Sequence, residues 1–221
     1  MKKRTITWGK PAVPQFEPLG HTPLLIHWPG VEGGGTCDAL TTNVDLFATI
    51  ADVFEARVDH ATHGVSLAPL LDGTADSVRE WAVGGVWGNW VQVTDGSTKY
   101  ARAPVSDNFP LSAWSNRWST MPIHIDGVVG LTPPDQRAWL DTMPGTEVPV
   151  LRQPFESGDQ LPIWAMGHQV DQHHVYRLDV DPDEQENRAG EQAEHDMAEL
   201  LRTALVELEA PNEQLERLGL T

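Results

Sequence analysis

The chain has 221 residues, enough for one domain or two small ones with a real hydrophobic core. Its formal charge of −17 excludes nucleic acid and anionic membrane surfaces as natural partners, because both require positive charge, and it makes any anion site a local one. A lone cysteine, Cys37, excludes an internal disulfide, and no apolar window approaches the length of a membrane span.

Met1-Lys2-Lys3-Arg4 has the basic start of a signal peptide, but no apolar core follows it before Trp8. As written the chain reads as cytoplasmic, and its localisation stays open. Residues 1–21 read as irregular, since Pro11, Pro14 and Pro18 each block a helix. Leu24, Leu25 and Ile26 form a short apolar run opened by Pro23 and closed by Pro29-Gly30. That pattern predicts a strand buried on both faces, inside an α/β sheet covered by helices. The glycines of 31–35 lack a following Gly-Lys-Ser or Gly-Lys-Thr, so they read as a turn and not as a phosphate loop.

A helix is expected over about 42–54. Thr42 caps it, Asp45 answers from the first turn, and Phe47, Ile50, Ala51 and Phe54 share a face directed at the sheet of Leu24 to His27. The composition shifts after Leu71-Asp72-Gly73, which divides the chain into 1–75 and 76–221. In the second part 81–87, 90–94 and 98–102 read as strands, the last two joined by a hairpin at Asp95-Gly96. Residues 103–165 read as a long, irregular insertion pinned by its aromatics, with short helices near 135–141. A further strand is expected over 174–179. The terminal helix, about 191–209, carries the stripe Met197, Leu200, Leu201, Ala204, Leu205 and Leu208, which needs a sheet to cover, and Pro211 ends it.

Several groups imitate functional sites. Trp81, Trp87, Trp90, Trp114 and Trp118 could stack on a sugar or aryl ring, although core packing is the commoner fate of tryptophan. Arg117 could pair with a substrate anion or with a structural carboxylate. His60 with His63, and His168 with His173 and His174, do not make a recognisable zinc set beside one cysteine. Asp179, Asp181 and Asp183 open like a calcium loop, but Glu184 stands where that loop needs glycine and Gly190 where it needs glutamate. These residues supply no metal site.

Four segments together carry a resemblance. Trp8-Gly9-Lys10-Pro11 precedes Pro23-Leu24-Leu25-Ile26-His27-Trp28-Pro29-Gly30. Then come Asp45-Leu46-Phe47-Ala48-Thr49-Ile50, His63-Gly64-Val65-Ser66-Leu67-Ala68-Pro69-Leu70-Leu71, and the stretch from Tyr176 to Asn187 with its Asp181-Pro182 and Asn187. In this order they resemble the second half of the sulfatases, members of the alkaline phosphatase-like superfamily. The resemblance implies a partial alkaline phosphatase-like fold: the end of the large α/β domain over 1–75, then a small antiparallel sheet with a C-terminal helix.

It also implies sulfate-ester hydrolysis by a formylglycine and a divalent metal, usually calcium. The formylglycine arises from C-x-P-x-R or S-x-P-x-R, which is absent from this sequence. Nucleophile and metal ligands are therefore expected from another portion or a partner chain, leaving these residues inactive alone and without a cofactor of their own. Whether the chain is itself an enzyme stays open. By resemblance Lys10 contacts the substrate sulfate, where an ammonium stabilises charge gathering on the ester oxygens. Trp8 and Arg117 are the candidate substrate-binding residues beside it. Asp59-His60 imitates the family's Asp-His-Gly motif, but Ala61 replaces the glycine and the pair comes after the Trp-Pro-Gly segment. Two other readings accompany this one: a non-catalytic binding domain using the tryptophan-rich surface, and a phosphatase or phosphonate hydrolase of the same superfamily.

Overall fold

A computed structural model describes residues 16–115, 137–142, 147–159, 161 and 171–221. Helices are few and short: α1 (Glu17–Gly20), α2 (Val44–Val53), α3 (Ala68–Leu71), α4 (Gln192–Glu207) and α5 (Asn212–Arg217). Strands β1 (Ala82–Gly85), β2 (Val91–Thr94), β3 (Thr98–Arg102) and β7 (His174–Arg177) form a four-stranded sheet in the order β1-β2-β3-β7. Strands β4 (Leu111–Ser115), β5 (Trp139–Thr142) and β6 (Pro149–Phe155) form a second sheet in the order β4-β6-β5. Every ladder among these strands is antiparallel.

The first sheet follows from alternation. Val83, Val93, Tyr100 and Val175 lie opposite one another across its four strands. This row, with Val91, forms one core with Met197, Leu201 and Leu205 of α4. The stripe of the terminal helix therefore finds the sheet it needs, and each buried leucine contributes roughly 1.5–3 kcal/mol. The hairpin turns where expected: Asp95 Oδ1 accepts the N–H groups of Ser97 (2.8 Å) and Thr98 (2.6 Å), and Gly96 takes φ +90°. Beyond Pro211 the chain forms α5, an element the periodicity does not announce, and Leu218 and Leu220 close the core after it.

Three expectations are overturned. The first is the buried strand at Leu24–Ile26. Among the described residues nothing pairs with this stretch, and Leu25 is 90% exposed. A strand exists only against a neighbour, and the described residues build none beside it. The second is the orientation of α2. Asp45 answers as read, accepting the Thr42 N–H at 2.8 Å, but Asn43 and not Thr42 is the N-cap, and Phe47, Ile50 and Phe54 are exposed. The side turned inward carries Asp45 and Thr49 instead.

The third concerns the insertion. Residues 111–115, 139–142 and 149–155 make the second sheet, so 139–142 is a strand and not a helix. Pro149 and Pro154 obscured β6 in the sequence. They are tolerated because β5 pairs only with 149–152, leaving Pro154 bonded on one side alone. Leu111 and Phe155 lie opposite each other and pack with Leu161 and Trp87 in a second small core.

Candidate functional site

Trp8, Lys10 and Arg117, with Trp118 and His168, lie outside the described residues. The segment that carries Lys10 is described from Phe16 onward, and there it is firmly held. Phe16 meets the Tyr176 ring edge-on at 5.9 Å, and Lys99 Nζ reaches Glu17 Oε1 (2.5 Å) and Glu184 Oε1 (2.9 Å). The Glu17 N–H donates to the other oxygen of Glu184 at 2.5 Å. Lys99 and Glu184 are both buried, so each makes the other's burial tolerable. Burial, with Glu184 and Asp181 nearby, pushes the Tyr176 hydroxyl up to about 12, keeping it neutral over the physiological range.

The segment from Tyr176 to Asn187 makes this anchor possible. Asp181 accepts the N–H groups of Gln185 (3.1 Å) and Glu186 (2.8 Å), and Glu184 adopts φ +51°, aiming its carboxylate at Lys99. Asn187 accepts the Val175 N–H at 2.9 Å and donates to the His173 carbonyl at 3.0 Å, tying the loop to β7. Asp181 therefore serves as a turn former, and Asp179 pairs with Arg177 at 2.5 Å. Sequence reasoning missed Glu17, Lys99 and Glu184. The available signal was Lys99 next to Tyr100 in a short strand, since a lysine that a sheet buries demands an acidic partner.

A second junction holds the segments around α2. Asp45 is fully buried, with its carboxylate accepting from the N–H of Val65 (2.9 Å), the N–H of Thr42 and the Arg79 guanidinium. Thr49 Oγ1 accepts the Leu67 N–H at 2.9 Å and donates to the Asp45 carbonyl. At Gly64 an added Cβ would stand 2.2 Å from the Val44 carbonyl oxygen, so only glycine lets this segment cross the start of α2. Asp45 and Gly64 are thus joints of the scaffold. Asp59 pairs with exposed Arg57 at 2.9 Å, and His60 lies beside the Phe47 ring, both away from any described reactive group. Among the described residues, no group of three or more His, Cys, Asp or Glu is placed to hold a metal ion.

The histidines of the first sheet are oriented by neighbours. His173 Nδ1 accepts the Ala103 N–H at 3.1 Å, so the neutral ring carries its proton on Nε2, which faces Glu194 at 3.9 Å. His174 Nδ1 lies 3.0 Å from the Tyr176 hydroxyl. Burial lowers both imidazole pKa values, helped at His173 by the Arg102 guanidinium. Among the tryptophans the core reading prevails: Trp90 is fully buried, Trp81 packs on the main core, and Trp87 donates to the Ser112 carbonyl at 2.9 Å.

No protein-family model matches the sequence, and no curated protein matches it. Among solved structures it is distantly similar to a sulfatase from Bacteroides thetaiotaomicron, described with the metabolism of multiple glycosaminoglycans, at 17% identity and a TM-score of 0.38. The alignment covers 73% of this chain and 24% of that one, so the chain spans about a quarter of the length of that structure.

Proposed function

We propose that these residues are the C-terminal part of a sulfatase-like hydrolase of sulfate esters. What supports the reading is the order of segments that resembles the sulfatases, Pro23–Gly30, Asp45–Ile50, His63–Leu71 and Tyr176–Asn187. Leu24, Leu25, Ile26, Phe47 and Ile50 are exposed, and they belong to the segments that resemble the sulfatases. In this reading their exposed apolar side chains are surface that the rest of the enzyme covers. In this reading the catalytic portion, with formylglycine and a divalent metal, packs over that face. It comes from residues outside 1–221, in the same polypeptide or a partner chain.

The described acidic residues do not fit the metal: Asp45 is committed to Arg79 and backbone N–H groups, and Asp59 pairs with Arg57. No metal step is therefore assigned to them. What this chain supplies is Lys10, whose ammonium stabilises the sulfate oxygens as charge gathers on them, with Trp8 and Arg117 beside the substrate. The anchor at Glu17, Lys99 and Glu184 fixes the chain seven residues beyond Lys10.

The coding frame upstream of Met1 provides the test. A frame encoding C-x-P-x-R or S-x-P-x-R with paired aspartates is expected, and its joint expression with these residues should yield aryl sulfatase activity. Lys10→Ala should then lower kcat by about 10²-fold or more. Turnover of 4-nitrophenyl sulfate with calcium by residues 1–221 alone would overturn the reading.

A further inference from the structure

On the open face of the second sheet, Trp114, Arg152 and Trp139 stand side by side, because Arg152 is the register partner of both tryptophans. The guanidinium carbon lies 4.7 Å from the Trp114 ring centre and 5.0 Å from that of Trp139. Its charge is already committed: Arg152 donates to Glu213 at 2.6 Å and lies 3.5 Å from Asp141 Oδ2. The two ends of this row differ. Trp114 is half-buried on the side where α5 contacts β4, whereas Trp139 is on the outer strand β5 and 44% exposed. One indole face is thus braced by a cation, on a strand that is the outer one among the described residues.

The geometry points to Trp139 as a stacking platform for the ring of a neutral saccharide, with Asp141 as hydroxyl acceptor. A pyranose offers C–H groups to an aromatic face and hydroxyls to a carboxylate at its rim, and this site presents both. Asp141 is two residues from Trp139 on the same face of β5, and its side chain is partly exposed. Beside the Thr142 N–H at Oδ1 (2.8 Å), its Oδ2 has, among the described residues, only the long contact to Arg152. The adjoining charges decide against an anionic sugar, since Asp141 and Glu213 flank the row and its one cation is already paired. Bracing matters as much as exposure, because an indole fixed in advance loses no rotamer freedom when a ring settles on it. The inference is independent of the sulfatase reading, since it uses neither Lys10 nor a catalytic portion.

The full chain, with indole nitrogens labelled, should be titrated with cellotetraose and maltotetraose in the millimolar range while the indole N–H resonances are followed. The Trp139 resonance should move saturably with at least one of them. Trp139→Ala should weaken that binding about tenfold or more, and Trp139→Phe less. Asp141→Asn, which keeps the ring, should also weaken binding, so the proposal stays testable if Trp139→Ala unfolds. No shift with either sugar, a calorimetric affinity unaffected by Trp139→Ala or Asp141→Asn, or an equal shift with tetramethylammonium would overturn it.

Discussion

Charged side chains turned inward do much of the positioning in this molecule. Lys99 is enclosed by two carboxylates, and Asp45 by a guanidinium and backbone donors. Arg217, 1% exposed, donates to the Asn89 carbonyl at 2.8 Å and to Asn108 Oδ1 at 2.7 Å. Burial lowers its pKa to about 10, which leaves it charged at neutral pH. Such groups add little net stability against an apolar substitute, but they leave one geometry in which every charge is met. The titration that matters near neutrality is that of His173 and His174. Burial holds both below the ordinary 6.5, so the unfolded chain binds their protons first as the pH falls. Their contribution is present in full above pH 6.5 and is lost as the pH drops through the lower folded values, where His173 also gives up the Ala103 N–H. Urea unfolding should therefore give a lower midpoint at mildly acidic pH than at neutral pH. The paired variant His173→Gln with His174→Gln should flatten that slope, and an unchanged slope would contradict the assignment.

Helices α2 and α4 show how far an element can be read before its partner is known. Both carry an apolar stripe at helical spacing, and both form close to the expected bounds. The stripe of α4 lies on β2 and β3, whereas that of α2 faces outward because Asp45 and Thr49 hold its other side to 63–67. Periodicity reports that a face is apolar, not which neighbour meets it. Three strands of the first sheet were legible because they follow one another closely with a turn signal at Asp95-Gly96, and α4 through its helical spacing. The second sheet was not, because its strands are far apart in sequence and β6 carries two prolines. Replacing Leu201 by Ala should cost about 2–5 kcal/mol in urea unfolding, as for other filled cores. Phe47→Ser and Ile50→Ser should each stay within about 0.5 kcal/mol in the isolated chain. A large loss at either position would show that α2 buries its stripe within these residues.

At the scale of the whole molecule, apolar exposure is concentrated in one region. Among the described residues most exposed large hydrophobics fall between Leu24 and Val65, with Trp139 and Leu140 of β5 and Val206 of α4 among the others, while the first sheet buries its valines and Tyr100 against α4. The proposed site residues Trp8, Lys10 and Arg117 lie outside the described residues, Lys10 resting on motif order and Arg117 on its charge among the tryptophans. The anchor formed by Glu17, Lys99 and Glu184 required three segments distant in sequence to meet, which no local pattern reveals. At 23–29 the sequence predicts a strand buried on both faces, whereas among the described residues the stretch is unpaired and Leu25 is exposed, and the proposed catalytic portion would cover it. Amide hydrogen exchange on the isolated, monomeric chain tests this most directly. The account predicts near-unprotected exchange at 23–29 beside slow exchange in β2, β3, β7 and α4, with protection at 23–29 appearing once the catalytic portion is joined. Slow exchange at 23–29 in the isolated monomer would contradict it, because the face would then already be covered by this chain.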